Sequence, residues 1–189
     1  MAGYLAAGGC AVVSGGNLAR FAGGLAGVEV REKTYPCAIG QEVRVGGEVL
    51  VEETAFDLGV LATSRPARAL AECTVGETTR LPAVLEVPVG KGRLIALASP
   101  FGVASQPVTK TVEGGVDKPL EKPYPMLKHV RAVLDRIFSE QVLFRAGEGL
   151  SLVACRRSAG EYTLGISNDG LAPRPFKVES LCEIGRAHV

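Results

Sequence analysis

The sequence predicts an incomplete three-layer α/β domain over residues 1–145, followed by the first strands of an antiparallel β-sandwich over 146–182. Three observations lead there. Arg93 to Ser99 is an apolar run closed by the Gly90-Lys91-Gly92 turn on one side and Pro100 on the other, as in a strand buried on both faces. Met126 to Phe138 places Leu127, Val130, Val133, Leu134, Ile137 and Phe138 at helical spacing, giving a face able to cover a sheet. After Gly147 the pattern changes to short strands separated by turns.

Composition narrows the class. Hydrophobic residues are 47% and charged residues 22% of the 189, enough for a sizeable core and unlike a disordered chain. The 21 basic and 20 acidic residues nearly cancel, so neither a nucleic-acid surface nor a polybasic membrane patch is expected. Aromatics are 5% and Trp is absent, which disfavours a stand-alone sugar-binding module built on aromatic platforms. Cys10, Cys37, Cys73, Cys155 and Cys182 show no CxxC spacing. Most of them read as small buried hydrophobes in a reducing, cytoplasmic setting, with no disulfide scaffold, metal or cofactor. The opening MAGYLAAGGCAVV has a cysteine but lacks the basic start of a lipoprotein signal, and no run reaches the roughly 18 apolar residues of a spanning helix.

Taken in order, Met1 to Ala7 reads as the last turns of a helix stopped by Gly8-Gly9. A helix opening at residue 1 suggests a chain that starts inside a domain. Cys10 to Val13 is a short strand, with Ser14-Gly15-Gly16-Asn17 as the loop at its carboxyl end. Leu18 to Gly27 suits a short helix or turn, and Val28 to Thr34 is extended. Gln41–Val45 and Glu48–Val51 alternate around Gly46-Gly47, a peripheral hairpin with one solvated face. Phe56 to Ala62 is ambiguous, and Ala67 to Thr74 reads as a strand. Pro82 to Val87 then runs back beside Arg93–Ser99. Gly102 to Pro125, with four prolines and Gly114-Gly115, is a long loop, and Pro125 suits a helix start. Ser151–Cys155, Tyr162–Ile166 and Phe176–Glu179 are the later strands. Glu183 to Val189, EIGRAHV, has the look of translated sequencing adapter and is set aside from the fold.

Few residues announce chemistry. Cys10 precedes its apolar run, whereas a nucleophile elbow puts the reactive residue after the strand, so it reads as a packed thiol. Ser14, Gly15, Gly16 and Asn17 stand where ligands of open α/β sheets bind, and their amides form the candidate ligand-binding turn. Gly90-Lys91-Gly92 leads into a strand, not a helix, and so reads as a β-turn, not a phosphate loop. His129, between Lys128 and Val130 and off the main apolar stripe, reads as a surface or boundary side chain. Among Glu52, Glu53, Asp57, Glu72, Glu77 and Glu86 no glycosidase-type pair stands out, and Glu52-Glu53 reads as a solvated strand edge.

With these residues laid out, the chain resembles the trimerisation domain of family-42-type β-galactosidases. Three phrases carry the resemblance: Tyr4 to Val13, Gly24 to Val30, and Ala69-Leu-Ala-Glu72 through Pro82-Ala-Val84 to Val89-Gly-Lys-Gly-Arg-Leu-Ile95. Ser151 to Glu179, with Ile166-Ser-Asn168, is similar to the small β-sandwich that follows in such enzymes. The resemblance implies a flavodoxin-like, class I glutamine-amidotransferase-like fold, a homotrimer, and a non-catalytic structural role beside a carbohydrate-active barrel. It carries over no catalytic residue. Two other functions stay open: a divergent amidotransferase-like hydrolase using Cys10 or Ser14, and a small-molecule site at Ser14–Asn17.

Overall fold

The computed structural model describes residues 1–21, 24–112, 116–119, 124–141, 144–146, 150–158, 161–168, 175 and 177–180. The reading of residues 183–189 lies outside them. The chain divides into two compact units, Met1–Asp135 and Arg136–Val189.

The first unit opens with α1 (Ala2–Ala6), β1 (Cys10–Ser14) and α2 (Gly15–Leu18). Next come β2 (Val28–Cys37), β3 (Glu42–Val45), β4 (Glu48–Val51), β5 (Phe56–Thr63), β6 (Arg68–Val75), β7 (Thr79–Val89) and β8 (Gly92–Leu97). A ribbon follows, β9 (Thr109–Val112) and β10 (Val116–Pro119), inside the stretch read from sequence as loop. The last helix, α3 (Lys128–Gln141), begins in this unit.

Six strands form one sheet in the order β1-β8-β7-β6-β3-β4, and β2 pairs with β5 in a separate antiparallel ribbon. Only β1 and β8 run parallel in that sheet, and the other neighbours are antiparallel. This corrects the fold class. A three-layer flavodoxin-like domain needs strands alternating with covering helices. Here residues 28–97, where those helices would fall, are strand after strand joined by turns. The described chain is therefore mostly β, with mixed and antiparallel sheets, and the amidotransferase-like three-layer assignment does not hold.

β8 is central because its sequence leaves no solvated face. Leu94, Ile95, Ala96 and Leu97 are all buried, between β1 on one side and β7 on the other. The β7–β8 turn takes Gly90 at φ 63°, a backbone only glycine adopts without strain. Across β6, β7 and β8, Glu86 receives Arg68 at 2.7 Å and Arg93 at 2.9 Å. The β2–β5 ribbon is tied to the end of β8 by the Gly59 amide, which donates to the Ala98 carbonyl at 3.1 Å. Cys37 on β2 and Cys73 on β6 are both buried, and their thiols donate to the carbonyls of Tyr35 at 3.7 Å and Thr74 at 3.9 Å. The neighbouring Cys73 first, and burial second, push the Cys37 thiol well up, so it keeps its proton as a packed hydrophobe does.

In the second unit, β11 (Phe144–Ala146) pairs with β14 (Val178–Ser180), and β12 (Leu150–Ser158) pairs with β13 (Glu161–Asn168), all antiparallel. Phe144 meets Tyr162 edge-on at 5.1 Å between ring centroids. The strands expected at Ser151–Cys155 and Tyr162–Ile166 fall within β12 and β13.

Gly92 fixes how the chain start docks. A Cβ there would collide with the carbonyls of Gly9 and Leu5, whose segment lies directly on the β8 start. Gly92→Ala is expected to lower unfolding stability by about 1–3 kcal/mol. Urea titration checks it, as a lower midpoint at an unchanged slope.

Candidate functional site

The predicted turn sits where the parallel pair ends. Ser14 closes β1, is 8% exposed, and accepts a hydrogen bond from Asn17 Nδ2 at 3.1 Å. The amides of Gly15 and Gly16 donate to the carbonyls of Ser99 and Pro100 at 3.1 and 2.9 Å. Side chains are excluded at both glycines: a Cβ would lie 2.9 Å from the Ala98 carbonyl oxygen at Gly15 and 2.8 Å from that of Pro100 at Gly16. The turn therefore seals β1 against the segment leaving β8, and its two glycine amides are spent within the protein. Cys10 opens β1 opposite Arg93. It is thus about 13 Å of extended backbone away from Ser14, too far for the two to act at one centre.

The structure reverses the reading of two other residues. His129 is fully buried and Glu52 is 1% exposed. Glu52 follows β4 at the open end of the hairpin, away from the Gly46-Gly47 turn, where its amide donates to Gln41 O at 3.0 Å and its carbonyl accepts from Gly40 N at 2.9 Å. That pinned backbone aims the carboxylate at the start of α3. Oε1 accepts from the His129 amide at 2.8 Å and lies 2.7 Å from His129 Nδ1, while Oε2 accepts from the Lys128 amide at 3.0 Å. Two first-turn amides that no helix can satisfy internally are thereby paired, and negative charge sits at the positive end of the helix dipole. Glu53 points the other way and pairs with Lys128 Nζ at 2.6 Å on the surface.

Period-two alternation after β4 would have separated Glu52 from Glu53, since Val51 and Glu53 are exposed and Glu52 is not. His129 likewise precedes Val133 by four residues and Ile137 by eight, so it shares their buried face. Its ring packs 5.4 Å from that of Phe56. Its Nε2 is buried with no hydrogen-bond partner. The carboxylate orients the imidazole as a catalytic acid would, yet among the described residues no hydroxyl or thiol is hydrogen-bonded to that ring. Nor could any described group of three or more His, Cys, Asp or Glu hold a metal ion. No described helix is long and apolar enough to cross a membrane.

One open concavity of the first unit is formed around the segment that leaves β8. It has a volume of about 450 Å³ and is lined by Asp57, Pro100, Phe101, Val103, Ser105 and Tyr124, among others. Sequence reasoning named Asp57 as one of several carboxylates and 102–125 as a long loop, but could not bring them together because the lining comes from three separate stretches. The segment after β8 is held in place by short bonds: Gly102 N to Ser99 Oγ at 3.0 Å, Ala104 N to Pro125 O at 3.0 Å, and Ser105 N to Ala55 O at 2.9 Å. Leu127 N to Gly102 O at 3.1 Å joins the same segment to the start of α3. Asp57 is half-buried, and no described side chain hydrogen-bonds to its carboxylate.

The burial of Glu52 alone would raise its pKa. The hydrogen bond to the His129 ring, the two amides and the His129 charge outweigh that and hold the carboxyl below its ordinary range. A group depressed in the fold stabilises at every pH above its unfolded value, about 4.3 for glutamate. That contribution is lost as pH falls from there through the folded value. Glu52→Gln is expected to show a shallower loss of stability with acid below about pH 4.3, and Glu52→Ala to cost about 3 kcal/mol at neutral pH by stranding buried donors. Denaturation followed across pH by circular dichroism checks both.

No family model matches the chain, and no curated protein matches it. Solved structures do. A catalytic mutant of Gan42B, a GH42 β-galactosidase from G. stearothermophilus, is similar over 81% of this chain at 16% identity and a TM-score of 0.48. The β-galactosidase from Bacillus circulans sp. alkalophilus is similar over 88% at 15% identity and 0.47, and that from Rahnella sp. R3 over 88% at 18% and 0.47. The chain spans 21% of the first of these structures and 24% of the other two.

Proposed function

We propose that this chain is a non-catalytic, subunit-contacting part of a larger carbohydrate-active protein of the β-galactosidase type. Its sequence phrases, Tyr4–Val13, Gly24–Val30 and Val89–Ile95, support the enzyme class by resemblance. The observation that carries the contacting role is the free edge of the six-stranded sheet. β4 ends that sheet, and Val49 and Val51 on it are each 48% exposed, with Ile39 nearby in sequence 72% exposed.

An apolar edge strand left unpaired invites another chain, and monomers usually blunt such edges with charge. On β4 itself the one charge, Glu48, stands at the start of the strand, while Arg44 and Glu42 of β3 lie opposite Val49 and Val51. A three-fold assembly is the state the resemblance implies. Around the predicted turn the hydrogen bonds of Ser14, Gly15 and Gly16 are internal, which suits a scaffold better than a reaction centre.

Sedimentation velocity of the chain is expected to give a species three times the 19.7 kDa chain mass. Val49→Lys with Val51→Lys is expected to shift it to monomer without lowering the melting temperature appreciably. A wild-type monomer, or a trimer indifferent to both lysines, contradicts the proposal. Turnover of a nitrophenyl β-galactoside by the chain alone contradicts its non-catalytic half.

A further inference from the structure

We infer that the concavity beside the β8 exit is a subsite for one pyranose unit, with Asp57 and Phe101 as its recognition groups. The inference rests on the carbohydrate-active reading above and adds a ligand to it. A volume near 450 Å³ lies within the usual range of small-molecule pockets, about 300–1,000 Å³. Its walls divide as a pyranose divides. Pro100, Phe101 and Val103 offer an apolar surface to the C–H face of a sugar ring, while Asp57 and Ser105 offer oxygen atoms to its hydroxyl rim.

Asp57 is the informative residue. It alternates with Phe56 on β5, so while Phe56 is buried against His129, Asp57 lines the pocket. An ionised carboxylate has two acceptor oxygens and no donor, and this one accepts from no described side chain. Two neighbouring sugar hydroxyls can donate to it together in short, charge-assisted bonds.

Phe101 is 69% and Tyr124 50% exposed, so both rings are open to a ligand entering the concavity. The Phe101 ring is seated on the predicted turn, for a Cβ on Gly16 would lie 3.2 Å from its nearest ring carbon. Gly16 thus matters as a small residue beneath an aromatic platform. An organic cation would also suit an aromatic ring beside a carboxylate. Cages for such cations enclose the charge with their rings, whereas these two stand open at the rim. The loop carrying Phe101 is already fixed by the bonds of Gly102, Ala104 and Ser105, so little ordering cost attends binding.

The test is a titration of the full chain with methyl β-D-galactopyranoside, followed by amide chemical shifts. Saturable shifts are expected at Asp57, Phe101, Ser105 and Tyr124. Phe101→Ala and Asp57→Asn are each expected to weaken binding about 10-fold or more, with the remaining spectrum unchanged. If Asp57→Asn disturbs the fold, Tyr124→Ala takes its place. Shifts that do not saturate, that fall elsewhere, or that persist in both variants overturn the subsite. So does tetramethylammonium saturating these residues where the glycoside does not. Sedimentation of the same sample is a separate readout: a trimer that ignores the glycoside defeats the subsite alone, and a monomer that binds it defeats the contacting role alone.

Discussion

A single buried carboxylate decides how the first unit closes. Glu52 has its backbone locked into the end of the β3–β4 hairpin and its two oxygens committed to the first turn of α3. An unpaired charge at 1% exposure would be among the costliest things a fold can contain. Three bonds and a helix dipole turn it into an anchor. The alternative partner for those helix amides is water, and Leu127 and Val130 on either side are too buried for water to serve. The hairpin and the helix are therefore interdependent, although 75 residues separate Glu53 from Lys128.

From that anchor the exit of β8 follows. Gly102 takes φ 73°, receives Leu127 N on its carbonyl, and would place a Cβ 3.4 Å from Val130. The segment carrying Phe101 thus passes close between Leu97 of the sheet and Val130 of the helix, at a positive φ that favours glycine. Ser99, buried, accepts from the Gly102 amide on its Oγ. The pocket is an outcome of these constraints: β5 supplies Asp57, the β8 exit supplies Phe101, and the approach to α3 supplies Tyr124.

Local elements were legible in the sequence where one residue type forces one geometry. Gly46-Gly47 takes φ 57° and 99° and makes the expected β3–β4 hairpin, and Arg93–Ser99 is the interior strand its composition required. The apolar spacing of residues 126–138 became α3, within the usual drift at its ends. The fold class was not legible, because a run buried on both faces reports burial and not the direction of its neighbours. β8 satisfies that pattern with one parallel and one antiparallel partner. Phe56 to Ala62, the body of β5, is ambiguous in sequence for a related reason: Gly59 interrupts its alternation so that the strand can approach Ala98 O. The Glu52–His129 clasp was hidden by neighbours, since Glu53 and Lys128 give each member the look of a surface charge run.

Hydrogen exchange at two amides tests the anchor most directly. The first-turn amides of a solvated helix have no intrahelical acceptor and exchange quickly. If Glu52 holds α3 as described, Lys128 and His129 exchange as slowly as Leu94 and Ile95 in β8, through opening of the whole unit. Exchange at unprotected rates, with β8 still protected, would show that the helix start is not held by this carboxylate and would contradict the account.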